Sequence, residues 1–75
     1  ILFNQAPPEQ DTPRLTTREK EVLQLVGQGI TTNAIASRLF ISPQTVETHR
    51  RNLMQKFEVT NSAALIGKAT KLGIL

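Results

Sequence analysis

The stretch between Thr31 and Phe57 constrains the fold most, because its pattern is typical of two short helices joined by a tight turn. Ser42 is a good helix N-cap, and Pro43 follows at the first helical position, where its fixed φ suits a helix and its missing N–H costs nothing. Apolar residues stand at helical spacing on both sides of this break. They are Ile35, Ala36 and Leu39 before it, and Val46, Leu53, Met54 and Phe57 after it. A short helix, a turn and a longer helix together form the helix-turn-helix pattern.

The second of these helices carries a polar, partly basic outer face. Its members are Gln44, Glu47, Thr48, Arg51 and Gln55. Arg50 falls among the inner positions instead, where we expect its aliphatic stem to pack and its charged head to reach the surface. Because a helix with such a face fits the major groove of DNA, the pattern favours a nucleic-acid partner.

Length and composition exclude several other classes of function. The 75 residues suffice for one domain with a thin core, but not for a core around a buried substrate cavity. The absence of cysteine excludes disulfides, iron–sulfur clusters and cysteine-based zinc sites. The one histidine, His49, has no nucleophile partner and no carboxylates at ligand spacing, so we predict neither an enzyme nor a metal or cofactor site. We expect His49 to be structural, with a hydrogen bond to Glu19.

The charge distribution points to the same part of the chain. Nine Lys and Arg residues against six Asp and Glu residues give a net charge of +3, an excess that solubility alone can explain. The bases are nevertheless concentrated from Arg38 onward, within and after the helix-turn-helix pattern. No apolar run approaches the roughly 18 residues of a membrane span, so no membrane partner is predicted.

The rest of the chain predicts two more helices and a linker. Residues 1–14 hold three of the four prolines and favour an extended linker, whose apolar start either belongs to an upstream domain or packs on the helices. Residues 15–75 form the predicted domain, which is all-α with four helices. Thr16 and Glu19 form a capping box at the first helix, and Gly73 ends the last one as a C′ glycine. The expected helices span 17–28, 32–39, 43–57 and 62–72.

The last predicted helix is rich in small residues. Its core face is predicted to consist of Ala64, Leu65, Ala69 and Leu72. A second face, flat and nearly uncharged, consists of Ala63, Ile66, Gly67 and Thr70. Glycine inside a helix costs about 1 kcal/mol relative to alanine, a cost that the close approach of a second backbone would explain. We predict a two-fold dimer contact through this second face, and the alternative is a tight crossing within one molecule.

Two motifs identify a family. They are LTTREKEVL at residues 15–23 and ISPQTVETH at residues 41–49. With the helix pattern around them, they resemble the LuxR-type helix-turn-helix, the DNA-binding domain of NarL/FixJ response regulators and quorum-sensing LuxR regulators. The resemblance implies a tetrahelical domain that binds an inverted-repeat operator as a homodimer, with helix 43–57 in the major groove and helix 62–72 at the dimer contact. It also implies a bacterial, cytoplasmic transcription regulator, with RNA polymerase as a further partner.

Eight residues are the predicted DNA contacts. They are Asn33, Gln44, Thr45, Glu47, Thr48, Arg50, Arg51 and Lys56. Arg51 can pair bidentately with guanine, and the Thr48 methyl group can meet a thymine methyl group. Gln44 and Thr45 stand where the helix N-terminus favours a phosphate, although the Thr45 hydroxyl can equally cap the helix.

Three of the remaining four positions are phosphate candidates, because most protein–DNA hydrogen bonds go to the backbone. They are Asn33, Arg50 and Lys56. For Lys56 the alternative is that it neutralises the negative end of its own helix. For the whole outer face, the alternative is an ordinary solvated surface.

The chain departs from the family pattern at three places. Glu47 stands where lysine is usual, and its carboxylate would repel phosphates but can accept a hydrogen bond from cytosine N4. Residues 32–34 are Thr-Asn-Ala in place of the common Asn-Lys-Glu, and Ser62 replaces the usual arginine after Asn61. We expect these changes to alter the target sequence and the phosphate contacts, but not the fold.

Two further interpretations stay open at this point. Region four of an RNA polymerase sigma factor has similar motifs, although residues 45–49 and a fourth helix ending at Gly73 argue against it. A helical protein-interaction module could instead grip an acidic partner with the outer face of the third helix, and Glu47 together with the modest net charge keeps that possibility open.

Overall fold

Four α-helices make up most of residues 13–75, the part of the chain that the computed structural model describes. They are α1 (Thr17–Gly27), α2 (Thr32–Leu39), α3 (Pro43–Phe57) and α4 (Ser62–Lys71). No strand occurs in this range, so the predicted all-α, four-helix fold is confirmed. The predicted linker lies outside the described residues except for Pro13 and Arg14.

Each helix begins at a polar side chain that accepts a hydrogen bond from the backbone three residues further on. These N-caps are Thr16, Thr31, Ser42 and Asn61. The capping box is complete, because Thr16 N donates to Glu19 Oε1 at 3.0 Å and Glu19 N donates to Thr16 Oγ1 at 3.1 Å. The caps satisfy backbone N–H groups that have no partner within the helix.

After each helix, one residue with a positive φ, in the left-handed backbone conformation, reverses the direction of the chain. Gly29 follows α1 with a φ of 82°, and Gly73 follows α4 with a φ of 80°. Phe40 and Glu58 end α2 and α3 with φ values of 58° and 57°, and they do so with side chains in place. Glycine adopts this conformation at no steric cost, whereas for other residues it costs conformational free energy.

The core lies between the four helices, and α3 is central because its packing against the other three is the most extensive. The buried apolar residues are Val22, Leu23, Val26, Ile35, Ala36, Val46, Leu53, Phe57, Leu65 and Ala69. Burial on the inner side of α3 fixes this helix in position and turns its other side outward. The fold therefore presents one face of α3 to the surroundings.

The predicted core face of α4 is only half right. Leu65 and Ala69 are buried, but Ala64 is exposed and Leu72 is 36% exposed. Ile66, which was predicted on the opposite face, is half-buried and packs against the core. The helix is rotated about its axis relative to the prediction, because Ile66 offers more apolar surface to bury than Ala64 does.

Candidate nucleic-acid interface

The outer face of α3 is a surface of polar side chains on a fixed helix. All five residues predicted there, Gln44, Glu47, Thr48, Arg51 and Gln55, are exposed. The opposite side of the same helix buries Val46, Leu53 and Phe57 completely or nearly so. The two sides follow from one sequence pattern, since residues three and four apart share a helix face.

Arg51 stands on this face with its guanidinium group available. The three ion pairs among residues 13–75 involve the bases Arg18, Arg50 and Lys56, so Arg51 is in none of them. A guanidinium group presents five N–H donors in a planar arrangement that suits guanine O6 and N7 as well as phosphate. Its position permits the contact with DNA that the sequence predicts.

Thr48 uses its hydroxyl group within the helix. Its Oγ1 donates to the backbone carbonyl of Gln44 at 3.1 Å. The methyl group is therefore the part of this side chain that is left for a partner, which agrees with the predicted contact to a thymine methyl group.

The start of α3 is partly occupied by its own cap. Ser42 Oγ accepts from Thr45 N at 3.0 Å, and the hydroxyl groups of the two residues lie 2.8 Å apart. The local role of the Thr45 hydroxyl is thus present in the structure. Gln44 keeps an exposed side chain at this positive helix end, where an anion is favoured.

Arg50 joins α3 to the start of α4. Its guanidinium group donates to Ser62 Oγ, and its Nε lies 3.8 Å from Glu47 Oε2. The side chain is 20% exposed, as expected for a buried stem with its head at the surface. A phosphate contact by Arg50 would have to compete with these two partners.

Lys56 joins the end of α3 to the start of α1. Its Nζ donates to Glu19 Oε1 at 2.7 Å and to the backbone carbonyl of Arg14 at 3.1 Å. With these two partners, Lys56 has neither of the roles considered from the sequence, which were phosphate binding and neutralisation of the negative end of α3. The sequence holds no local signal for this pair, because its members are 37 positions apart.

The carboxyl group of Glu19 is buried with two donors. Burial raises its pKa, but the hydrogen bonds from the Lys56 ammonium group and from Thr16 outweigh that effect, so the pKa lies below its ordinary value. The expected hydrogen bond between His49 and Glu19 is wrong, because the side-chain and backbone donors to this carboxylate are Lys56 Nζ and Thr16 N, both at Oε1. His49 Nδ1 is buried and has no partner among residues 13–75.

Glu47 makes a contact that the sequence did not reveal. Its Oε2 accepts a hydrogen bond from Thr32 Oγ1 at 2.5 Å, which brings the start of α2 beside the middle of α3. Asn33 is the next residue of α2 and is exposed. No sequence pattern relates these two residues, which are 15 positions apart and on two different helices.

The second face of α4 is open to the surroundings. Ala63, Gly67 and Thr70 are exposed, and Ile66 is half-buried. A Cβ atom added at Gly67 would meet nothing within 4 Å. A tight crossing within one molecule, the alternative considered from the sequence, therefore does not explain this glycine.

Residues 13–75 contain no cluster of three or more histidine and carboxylate side chains that could hold a metal ion. No helix in the same range has the length and hydropathy needed to span a membrane.

Comparison with known sequences identifies relatives over nearly the whole described range. The family described as bacterial regulatory proteins, luxR family, matches residues 13–69. The chain is 46% identical over 61 residues to the uncharacterized response regulatory protein YgeK of Escherichia coli strain K12, which covers 81% of this chain and 42% of YgeK. It is 44% identical over 66 residues to the spore germination protein GerE of Bacillus subtilis strain 168, covering 88% of this chain and 89% of GerE.

Solved structures agree with this assignment. The structure of the transcription factor GerE superposes with a TM-score of 0.77 at 38% identity, covering 81% of this chain and 91% of that one. The Vibrio cholera VqmA–ligand–DNA complex gives a TM-score of 0.80 at 34% identity, covering 99% of this chain and 31% of VqmA. The chain thus spans less than half of YgeK and of VqmA but most of GerE. It belongs to the luxR family of bacterial regulatory proteins and is the helix-turn-helix DNA-binding domain of a transcriptional regulator.

Proposed function

We propose that the chain binds operator DNA as a two-fold dimer, with α3 in the major groove and α4 at the contact between the two copies. The outer face of α3 is the observation that carries this proposal. It is polar, exposed and mounted on a helix that three other helices hold on its inner side. The similar VqmA was solved in a complex with DNA, which supports the same partner for this chain.

The contacts divide into base reading and phosphate binding. Arg51 and Thr48 are proposed to meet base edges, Arg51 through guanine and Thr48 through thymine. The exposed start of α3 at Gln44 and Thr45 and the exposed start of α2 at Asn33 are proposed to meet phosphates. Phosphate contacts hold the helix in register, whereas base contacts supply the specificity.

Arg50 and Lys56 have a different proposed part in binding. Both were predicted to contact phosphates, but their heads are engaged with Ser62 and with Glu19. Each still carries a positive charge, Arg50 at the middle of α3 and Lys56 in its last turn, and this charge attracts the DNA backbone without a direct hydrogen bond. Their contribution is therefore expected in the salt dependence of binding.

The open face of α4 supports the proposed dimer. Two copies related by a two-fold axis would place Ala63, Ile66, Gly67 and Thr70 against their own equivalents. Their α3 helices would then reach successive major grooves about 34 Å apart, which requires an inverted-repeat operator. We further propose that the dimer acts without catalysis in the bacterial cytoplasm. RNA polymerase is its proposed partner there, in addition to the operator DNA.

Fluorescence anisotropy with Arg51→Ala tests the proposed use of α3. The chain is titrated against generic duplex DNA at several salt concentrations and against an operator obtained by in vitro selection. The substitution should weaken operator binding about tenfold, because one good bidentate pair to a base is lost. The substitution should also weaken binding to generic duplex DNA, since it removes a positive charge that lies next to the DNA phosphates.

Arg18→Ala is the matched control, because it removes the same charge from α1, where the Arg18 side chain is 42% exposed and pairs with Glu21 at 3.1 Å. It should leave operator binding within about twofold of the unsubstituted chain. Equal losses in both variants would mean that net charge and not α3 governs binding. No binding of the unsubstituted chain at about 50 mM salt, where phosphate contacts are strong, would contradict DNA binding and favour the protein-interaction alternative.

A further inference from the structure

Glu47 places a negative charge on the face of α3 that is proposed to meet DNA. Its side chain is 51% exposed and shares the outer face with Thr48 and Arg51. A carboxylate at this position repels phosphate groups and therefore lowers the affinity for DNA in general. The cost is offset if a hydrogen-bond donor on the DNA reaches the carboxylate.

Both contacts that the Glu47 carboxylate makes with residues 13–75 involve the same oxygen atom, Oε2. Thr32 Oγ1 donates to Oε2 at 2.5 Å, and Arg50 Nε lies 3.8 Å from the same atom. The second oxygen, Oε1, is in no hydrogen bond or ion pair with residues 13–75. Since the side chain is already held, little conformational entropy is lost when Oε1 accepts a further hydrogen bond.

The base edges of the major groove offer few donors to such an acceptor. Only cytosine N4 and adenine N6 donate there, whereas guanine N7 and O6 and thymine O4 are acceptors that a carboxylate repels. In an A·T pair the N6 donor lies between two acceptors, adenine N7 and thymine O4. In a C·G pair the N4 donor has an acceptor on one side only. A carboxylate has no donor of its own, so cytosine fits it best.

We propose that Glu47 selects a cytosine at one position of each operator half-site, and that Thr32 is the positioning residue for its carboxylate. The proposal rests on the proposed function, because Glu47 meets a base only if α3 occupies the major groove. Under this proposal α2 contributes to base specificity through Thr32, a side chain that itself contacts no base.

The test is in vitro selection from duplexes randomised across the site, followed by titration of four duplexes that differ at one base pair. The unsubstituted chain should prefer cytosine at this position by about tenfold over the other bases. Glu47→Gln should move the preference to adenine, because an amide accepts from N6 and donates to N7. Glu47→Lys should move it to guanine, which offers two acceptors to an ammonium group.

Thr32→Val and Thr32→Ser test the positioning role. Valine keeps the shape of threonine without the hydroxyl group, so the cytosine preference should fall about three- to fivefold while binding to generic duplex stays unchanged. Serine keeps the hydroxyl group and should restore the preference, which a purely structural role of Thr32 would not predict. The α2 cap is Thr31 and is untouched in both variants, and thermal melting checks that both are folded.

Two results would overturn the proposal. If Glu47→Gln raises the affinity for every duplex equally and the selected sequence does not change, Glu47 only repels phosphates. If Thr32→Val keeps the full cytosine preference, Thr32 does not position the carboxylate. A failure of the proposed function looks different, because then the unsubstituted chain binds no duplex even at low salt.

Discussion

Phe40 and Glu58 adopt left-handed backbone conformations at the ends of α2 and α3. Phe40 is 93% exposed, so its side chain recovers little of this conformational cost through burial. Glu58 adds an electrostatic cost, because a carboxylate at a helix C-terminus faces the negative end of the dipole. These two turns are therefore places where the native sequence is not optimal for stability.

Replacing Glu58 by asparagine should stabilise the fold. Asparagine tolerates the left-handed region better than glutamate does, and the substitution removes the unfavourable charge, so we expect a gain of about 0.5–1 kcal/mol. Chemical denaturation measures it. The same exchange at Glu21, inside α1 and paired with Arg18, should give no gain, and an equal gain there would contradict the explanation from backbone conformation.

Single residues also show what the sequence could predict at this scale. The caps Thr16 and Ser42 were expected, because a cap and the backbone N–H that it accepts from lie three residues apart and leave a local pattern. The Lys56–Glu19 and Glu47–Thr32 contacts were missed. Each depends on how two helices are placed, and no periodicity within one helix encodes that placement.

At the scale of the helices, α3 was easier to predict than α4. The buried residues of α3 recur at helical spacing and the polar residues lie on the other side, so the outer face of this helix follows from the sequence. The ten residues of α4 include several small apolar side chains, and these fit a core and a surface almost equally well. The choice between Ala64 and Ile66 for the core therefore depended on packing against α1 and α3.

Gly67 provides a test of the proposed contact through α4. Alanine should stabilise the monomer by up to about 1 kcal/mol, since the added Cβ meets nothing within 4 Å and helix propensity improves. Glutamate should place a charge in the dimer contact and weaken operator binding, but leave generic binding of the monomer largely unchanged. Sedimentation and operator titration measure the two effects.

Ala64→Glu is the control for that experiment, because Ala64 is an exposed residue of the same helix outside the proposed contact. It should reduce dimerisation much less than Gly67→Glu does. If both substitutions, or neither, reduce it, the contact does not lie on the face that contains Gly67.

For the whole molecule, the Lys56–Glu19 pair makes stability depend on pH. The pKa of Glu19 is lower in the folded chain than in the unfolded chain, so its stabilising effect is complete above the unfolded pKa of about 4.3 and is lost as the pH falls through the folded value. Lys56→Gln should cost about 1–2 kcal/mol near pH 7. The difference from the unsubstituted chain should shrink below about pH 4.

Urea denaturation between pH 3 and pH 7 measures this dependence. Lys71→Gln is a suitable control, because it removes an exposed charge from the last turn of α4. A cost of Lys56→Gln that stays constant over this range would contradict the assigned role of Glu19. Glu19→Gln should abolish most of the difference between the pH values while it preserves the capping box.

The same pair has a consequence for the motions of the molecule. Glu19 and Lys56 close a loop of chain that contains α2, and α2 contributes only Ile35 and Ala36 to the buried core. Because α2 is the shortest of the four helices and buries so little, it should open locally more easily than α1 or α3, and its amide protons should exchange faster than theirs. Because Thr32 belongs to α2, each such opening would release the carboxylate of Glu47. Discrimination between bases would then weaken on warming before the domain itself unfolds.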